Sequence, residues 1–555
     1  MKKEKINKYC EIVLDKSWSS YSYRDCKGYF RGYLYNPFLE KVEAAEYLTK
    51  HLMSLNNESI SEYLNSLRGH YAFILEKTNE VVACVDIGRS IPLSYLRYNN
   101  KTYIFSNTEK IIDNVVNNNL TVSQSSALSI AMSGCTIGRN TLFHNIKNLN
   151  AGEFIHVDKI NLRNHKWYEY MPTDYIDKNR DAKLEKLDEL LNTIFENIIE
   201  SCAGKKILVP LSAGLDSRLI ASFLKKKNYK NVCCFSYGQK GNFEAYHAKN
   251  IARKLGLKWF FIEINYKTSK KYYESKTYKE YIKFSDSLAS FPVSHELIAC
   301  DYLKKKGFKN DTVIINGMAG DFFTSGHIPL KFTNKKSVEA DVNLRKKFIL
   351  DNYIEKHFSL WESLKTPNNI KIIKEMLSKQ LSKFDLNSHD SKFDYKYHEY
   401  LEFMNRQSKI VMSNQRVYDF YNFGWRMPYF DYDFIDYWRN ISLDDKISQN
   451  IFIDYLEKHD HGGVWKPIRK KTWVSPIMHR IIRPYLKILF FLTFNKKKWK
   501  NFDHKYLSYL NDVSKKNAII SWYDSIKDKR GARNANSWLV ENYLKKFNIS
   551  INKLI

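Results

Sequence analysis

Three common devices are missing from this sequence: a zinc module, a disulfide scaffold and a membrane span. Its eight cysteines (10, 26, 84, 135, 202, 233, 234 and 300) are irregularly spaced, and none follows residue 300. No CxxC and no Cys/His ligand set occurs, which argues against a structural zinc. Free thiols suit a reducing cytosol, and the adjacent Cys233 and Cys234 are expected to be buried as small hydrophobes. The opening MKKEKINKYCEIVLDKSW has no apolar signal-peptide core. The longest apolar run, Ile488 to Phe494, is far too short to cross a bilayer. Internal repeats, low-complexity linkers, zinc fingers and RNP motifs are also absent, so no nucleic-acid partner is expected.

What is present is length, aromatic content and positive charge. A chain of 555 residues exceeds what one core usually serves, so two or three domains are expected. Hydrophobic content of 44% and aromatic content of 15% allow well-buried cores rather than disorder. The net charge of +29 is spread along the chain in clusters such as Lys225–Lys227 and Lys304–Lys306. It reads first as a solvated basic surface and second as attraction to anionic lipid or an acidic glycan. The apolar run sits between His479, Arg480, Arg483 and Lys487 on one side and Lys496–Lys500 on the other. Burial of the run in a helical core is the expectation, with docking of 477–500 on the inner face of a membrane as the alternative.

Residues 1 to about 165 read as short strands with turn signals, and Asn99-Asn100 falls between two of them as a hairpin turn. Ala44, Tyr47, Leu48 and Leu52 mark one intervening helix. Beyond residue 181, Leu184, Leu187, Leu190, Leu191, Ile194 and Ile198 form a helical stripe. Apolar runs Ile207–Leu211, Val232–Phe235, Trp259–Ile264 and Thr312–Ile315 then alternate with helical patterns, implying a doubly wound parallel sheet. Such sheets bind ligands at the carboxyl ends of their strands. From about 335 onward the pattern is mainly helical.

The first of those strand-to-helix turns reads Ser212-Ala213-Gly214-Leu215-Asp216-Ser217. Helix N-terminal N–H groups and two hydroxyls there suit an anion, and Gly214 permits close backbone approach. No lysine follows the glycine, so this is not a GxxxxGK[ST] loop. Bare phosphate would repel Asp216, which therefore points to a bridging hard cation such as Mg²⁺. The competing reading is an ordinary N-cap cluster.

The turn resembles the SGG-x-DS pyrophosphate loop of the ATP pyrophosphatases, with Ala213 replacing one glycine. Its surroundings resemble the asparagine synthetase family in particular. The stretches FSYGQKGNFEAYHAKNIARKLGLKWFFIEI (235–264), VIINGMAGDFFTSGH (313–327), WRMPYFDYDFIDYWRNISLDDK (425–446) and RKKTWVSP (469–476) follow that family's order over about 270 residues. LRGHYAFILEKTNEVVACVDIGRSIPLSYL (67–96) is similar to its glutaminase domain. The resemblance implies an Ntn-hydrolase-like α+β sandwich at 1–175, an ATP-binding PP-loop domain at 176–334 and a mainly helical remainder of that domain at 335–555.

It also implies an activity and residue roles. ATP would be cleaved between the α- and β-phosphates by a substrate carboxylate, and an amine would capture the acyl-adenylate. Ser212, Gly214, Asp216 and Ser217 would hold pyrophosphate, and Asp216 and Asp321 would share Mg²⁺. Leu211, Ser236, Tyr237 and Gly317 fall where the family contacts adenosine. Lys471, with Lys470 as its rival, would stabilise charge in the transition state.

Two departures bear on function. The family's catalytic cysteine follows the initiator Met, whereas Lys2 stands there, and residues 10–15 do not continue like the family's start around Cys10. Met318 and Phe322 replace the glutamates of the family's GxGxDE segment, and Met318 cannot accept a proton. His295 and Glu296 are candidate substitutes. The expectation is an ATP- and Mg²⁺-dependent ligase acting on small carboxylate and amine substrates, glycan- or peptide-linked, without glutamine hydrolysis. Ammonia-dependent asparagine synthesis and a silent nucleotide-binding scaffold are the alternatives.

Overall fold

The computed structural model describes residues 7–116, 120–173, 179–309, 311–333, 341–388, 390–466, 468, 477–493, 495–507, 509 and 516–554. The first part is built from two sheets. One has the order β1-β8-β7-β9, from β1 (Cys10–Val13), β7 (Ser94–Tyr98), β8 (Lys101–Phe105) and β9 (Ile146–Asn148). The other has the order β11-β10-β6-β5-β3-β2, with β4 (Leu39–Glu40) beside β3. Its strands are β2 (Ser19–Tyr23), β3 (Cys26–Tyr35), β5 (Arg68–Glu76), β6 (Glu80–Val85), β10 (Glu153–Asp158) and β11 (Leu162–Lys166).

Period-two alternation explains the layering. Ala72, Ile74, Val81, Ala83 and Val85 point to a core shared with Cys10, Tyr95 and Ile104 of the first sheet. Their neighbours Tyr71, Phe73, Leu75, Val82 and Cys84 point the other way, into the larger core. The Lys41–Leu52 helix covers β2 and β3 with Ala44, Ala45 and Leu48. The Asn99-Asn100 turn has φ of 48° and 59°, as a two-residue turn matching the twist of β7 and β8 requires.

The second part is a five-stranded parallel sheet of order β14-β13-β12-β15-β16. It comprises β12 (Ile207–Pro210), β13 (Val232–Gly238), β14 (Lys258–Glu263), β15 (Val313–Ile315) and β16 (Gly424–Arg426). Strand order reverses between β12 and β15, so the loops after these two strands diverge and open a crevice. The fold class is therefore an α+β sandwich followed by a doubly wound parallel sheet with a helical extension. β16, which the sequence reading did not identify, comes from inside the mainly helical 335–555 region.

The two parts are tied together. Arg31 pairs with Asp419 at 3.0 Å, Arg68 pairs with Asp433 at 3.0 Å, and the Gln415 amide donates to the Ser90 carbonyl. Tyr170 stacks on Phe403 with ring centroids 4.5 Å apart.

Two expectations need correction. Cys234 is buried, but Cys233 faces the other side of β13 and is only half-buried. The run beginning at Ile488 is not core: Ile488, Leu489, Phe491 and Leu492 lie exposed on the Ile477–Thr493 helix, and Phe494 lies outside the described residues. No described helix is long and apolar enough to cross a membrane.

Candidate functional site

The Ser212–Ser217 turn joins β12 to the Leu215–Lys226 helix, and it is internally braced. The Ser212 N–H donates to Ser217 Oγ at 3.0 Å, the two serine hydroxyls lie 3.1 Å apart, and the Gly214 N–H donates to Ser212 Oγ at 3.0 Å. The Ala213 N–H donates to Glu244 Oε2 at 2.7 Å, so this glutamate fixes the loop from the start of the Phe243–Lys254 helix. Arg218 ties the turn to the Ala213 and Val464 carbonyls. Gly214 is the N-cap and supplies no side-chain acceptor, which leaves the first-turn N–H groups of the helix for an outside anion.

Asp216 faces the segment after β15. Its carboxyl is pushed up to about 8, first by burial and then by the charge of Asp321. Its Oδ1 is buried without a hydrogen-bond partner. A Cβ on Gly320 would lie 2.5 Å from the Asp216 Cγ and Oδ1, and one on Gly317 would lie 3.0 Å from the Ser217 nitrogen. A Cβ on Gly214, by contrast, would meet only Ser212 Oγ, at 3.2 Å. The glycines that the approach demands are thus Gly317 and Gly320 more than Gly214. The Tyr429 hydroxyl, just after β16 in the chain, donates to the Asp216 carbonyl at 2.7 Å and fixes this turn.

Asp321 is half exposed, and its Oδ2 lies 3.1 Å from His327 Nε2. Burial opposes ionisation here, but the His327 hydrogen bond and charge hold the Asp321 carboxyl below the usual range. The other His327 nitrogen lies 2.5 Å from the fully buried Glu402. Burial works against the imidazolium, yet the Asp321 and Glu402 hydrogen bonds carry its pKa up to about 9. Glu402 also receives Lys356 and His357 at 2.9 Å each, and Gln407 at 3.2 Å. Sequence reasoning missed His327, Glu402 and Glu244. The only signal for His327 was its place six residues after Asp321.

The other expected site residues fall as follows. Ser236 Oγ donates to the Leu211 carbonyl at 2.6 Å and accepts from Trp259 Nε1 at 3.0 Å, so its hydroxyl locks β12 to β13 and β14. Tyr237 sits beside Glu296, which accepts from Tyr418 at 2.5 Å and from Asn316 at 3.1 Å. Asn316 in turn accepts from the Met318 N–H at 2.9 Å. Glu296 therefore holds the turn after β15 rather than facing the open crevice. Phe322 is fully buried against Tyr170 and Phe403, so this position points into an aromatic core. Lys470 and Lys471 lie outside the described residues.

Two acidic oxygens converging from the loops at the switch point are a donor set for a hard divalent cation, and the partnerless Oδ1 of Asp216 fits such an ion. His295 lines a cavity of about 230 Å³ together with His327, Lys356, His357, Arg406 and Arg533.

The family model for asparagine synthase matches residues 200–460, the span that contains Ser212–Ser217, Glu244, Asp321, His327 and Glu402. Over that span the chain is similar to an asparagine synthase domain. Two solved structures also align. One is described as the allosteric regulatory enzyme of purine biosynthesis: 12% identity over 53% of this chain and 55% of that chain, TM-score 0.19. The other is glutamine phosphoribosylpyrophosphate amidotransferase from B. subtilis complexed with ADP and GMP: 10% identity over 55% and 58%, TM-score 0.18. The alignments span little more than half of either relative, and TM-scores this low establish no structural equivalence. A comparison with curated proteins finds no match.

Proposed function

We propose that the protein is an ATP- and Mg²⁺-dependent ligase that forms an amide bond through an acyl-adenylate and releases AMP and pyrophosphate. The observation that carries this reading is the Asp216–Asp321 pair at the switch point, with one carboxylate oxygen buried and unpartnered. Asp216 and Asp321 would hold the metal, which supplies charge neutralisation on the departing pyrophosphate. The hydroxyls of Ser212 and Ser217 and the first-turn N–H groups bind the same phosphates. Leu211, Ser236, Tyr237 and Gly317 border the expected adenosine position.

A substrate carboxylate oxygen attacks the α-phosphorus, and the bond to the pyrophosphate oxygen breaks with its electron pair. The amine then attacks the acyl carbon, AMP departs, and the amine loses a proton. The cavity at His327 is lined by Lys356, Arg406 and Arg533, which favours an acid substrate bearing a further anionic group. Met318 offers no proton acceptor, and its sulfur instead receives the Asn414 amide at 3.5 Å. That favours an amine on a larger acceptor over free aspartate and ammonia.

The reading includes no glutamine hydrolysis. The four cysteines of the sandwich are all buried, and burial raises each of their thiol pKa values. An amidohydrolase thiolate has to meet substrate as a nucleophile.

Substrate-dependent release of AMP and pyrophosphate, screened over carboxylate and amine pools, tests the reading. Lys471→Ala should lower that rate by roughly 10²-fold or more, as loss of one transition-state cation does, while Lys470→Ala stays within about tenfold. Failure of ATP to bind in the presence of Mg²⁺ would sink the enzyme reading. Asparagine formed from aspartate and ammonia would overturn the inference from Met318.

A further inference from the structure

The helix Ile477–Thr493 has its polarity turned inside out. Ile481, Tyr485, Ile488 and Leu492 recur at i, i+4, i+7 and i+11, one line along the helix, and are 54%, 67%, 58% and 78% exposed. Ile482 and Leu489 widen that line on one side and Phe491 on the other, and all three are exposed. The opposite line is His479, Arg483, Leu486 and Phe490. It faces the Lys496–Phe502 helix and its continuation: Phe490 packs on Phe502 and Trp499 with centroids 4.6 and 5.5 Å apart, and Arg483 is held by Asp503 at 2.6 and 2.8 Å. A helix of a globular core shows the reverse arrangement. Seven large apolar side chains exposed on one helix exceed the scattered hydrophobics of an ordinary surface.

The charge around this face has one sign. Residues 477–502 contain seven Lys and Arg (480, 483, 487, 496, 497, 498 and 500) and no Asp or Glu. In fact no acidic residue occurs between Asp460 and Asp503. Apart from Arg483, which is turned to Asp503, the basic residues lie beside the apolar face and in the helix that supports it, as in interfacial helices that immerse their apolar side while cations meet headgroups. A second copy of the chain would set two such clusters against each other, within a molecule already carrying +29. An anionic surface has the complementary charge. The helix is too short and too polar at its ends to span a bilayer.

We propose that the exposed face of the Ile477–Thr493 helix, with Lys496–Lys498, docks the protein on an anionic phospholipid bilayer, peripherally and reversibly. The docking residues lie outside the asparagine synthase match at 200–460, so the surface is an addition to the ligase domain. It does not rest on the ligase reading: Asp216→Asn should bind vesicles as the unaltered protein does, whatever its activity.

The test is flotation of the full chain with unilamellar vesicles of phosphatidylcholine alone and of phosphatidylcholine with 30% phosphatidylglycerol, at low and high salt. The expected result is at least tenfold stronger partition onto the anionic vesicles, weakening as salt rises. Lys496→Gln, Lys497→Gln and Lys498→Gln together should weaken it by roughly 100-fold, about fivefold per cation near an anionic surface. Ile488→Glu with Leu492→Glu, both at exposed positions, should abolish partition with thermal unfolding unchanged. Equal binding to both vesicle types, no binding to either, or undiminished binding by the Ile488→Glu/Leu492→Glu variant would each overturn the proposal. A lipid-free dimer in sedimentation velocity that this double variant dissolves, with no vesicle binding, would overturn it too and assign the face to a second copy.

Discussion

Buried carboxylates are treated in opposite ways in the sandwich and at the switch point of the parallel sheet. In the sandwich, Asp86 is almost fully buried, and its carboxylate accepts from the Tyr71, Gly88 and Ser90 N–H groups at 2.9, 2.6 and 3.1 Å. Glu153 is likewise gripped by Arg139 through two bonds of 2.8 and 2.9 Å. At the switch point Asp216 is crowded by Gly317 and Gly320, faces a second carboxylate and keeps one oxygen without a partner. A satisfied buried carboxylate fixes a fold, whereas one that keeps an oxygen unpartnered and faces a second carboxylate marks a place prepared for something that is not protein.

The sharpest way to break that contrast is Asp216→Asn. Pyrophosphate release should fall by about 10³-fold or more, the scale of losing a charge-neutralising ligand. Stability should move the other way, because the cost of keeping this carboxyl protonated, or of burying its charge, is removed. In the folded protein the Asp216 carboxyl titrates at about 8, against an ordinary carboxyl in the unfolded chain. The folded state therefore holds a proton that the unfolded state has released, and stability drops as pH rises from about 4 to 8. Thermal unfolding followed across that window should show the drop in the unaltered protein, a smaller one in Asp216→Asn, and a smaller one again with MgATP. An Asn variant that is less stable at pH 8 would show that Asp216 is satisfied after all.

Glycine crowding gives a second, graded test. Gly320→Ala drives a methyl to within 2.5 Å of the Asp216 carboxylate and should cost roughly 10² in rate by displacing it. Gly214→Ala meets only one serine hydroxyl and should stay within about tenfold. Steady-state kinetics on the pair decides between them, and equal losses would mean that the loop glycine matters for a reason other than space.

Asp86→Ala probes the satisfied side. Three N–H donors lose a buried acceptor, so unfolding stability should fall by about 2–4 kcal/mol while the rate per folded molecule changes less than twofold. Denaturant unfolding and active-site-normalised kinetics measure the two separately. A rate loss that exceeds the loss of folded protein would couple the sandwich to the crevice.

This contrast was half legible in the sequence. The strand–turn–helix pattern around Ser212–Ser217 and the glycine-rich segment before Asp321 are local, so residue order alone locates them. His327 and Glu402 are 75 residues apart, and Glu244 lies 31 residues from the Ala213 amide it holds. Those pairings exist only after packing, and nothing local announces them. The demand for glycine at 317 and 320 likewise comes from a neighbouring loop rather than from their own backbone. β16 has three residues, too few for periodicity to register. The run at 488–494 was misread for a different reason: a short, mostly apolar stretch looks the same whether it faces a core or the outside, and only its neighbours decide.

The smallest effect should come from Cys10→Ala. The thiol lies between the two sheets, paired in β1 opposite Thr102, and burial with the nearby Glu76 pushes its pKa up to about 12. At neutral pH it is a protonated core side chain, and removing the sulfur leaves a hole costing about 1 kcal/mol. Ligation with any amine should be unchanged within twofold, and added glutamine should yield no glutamate in either protein. Glutamate release that the substitution abolishes would make Cys10 a nucleophile.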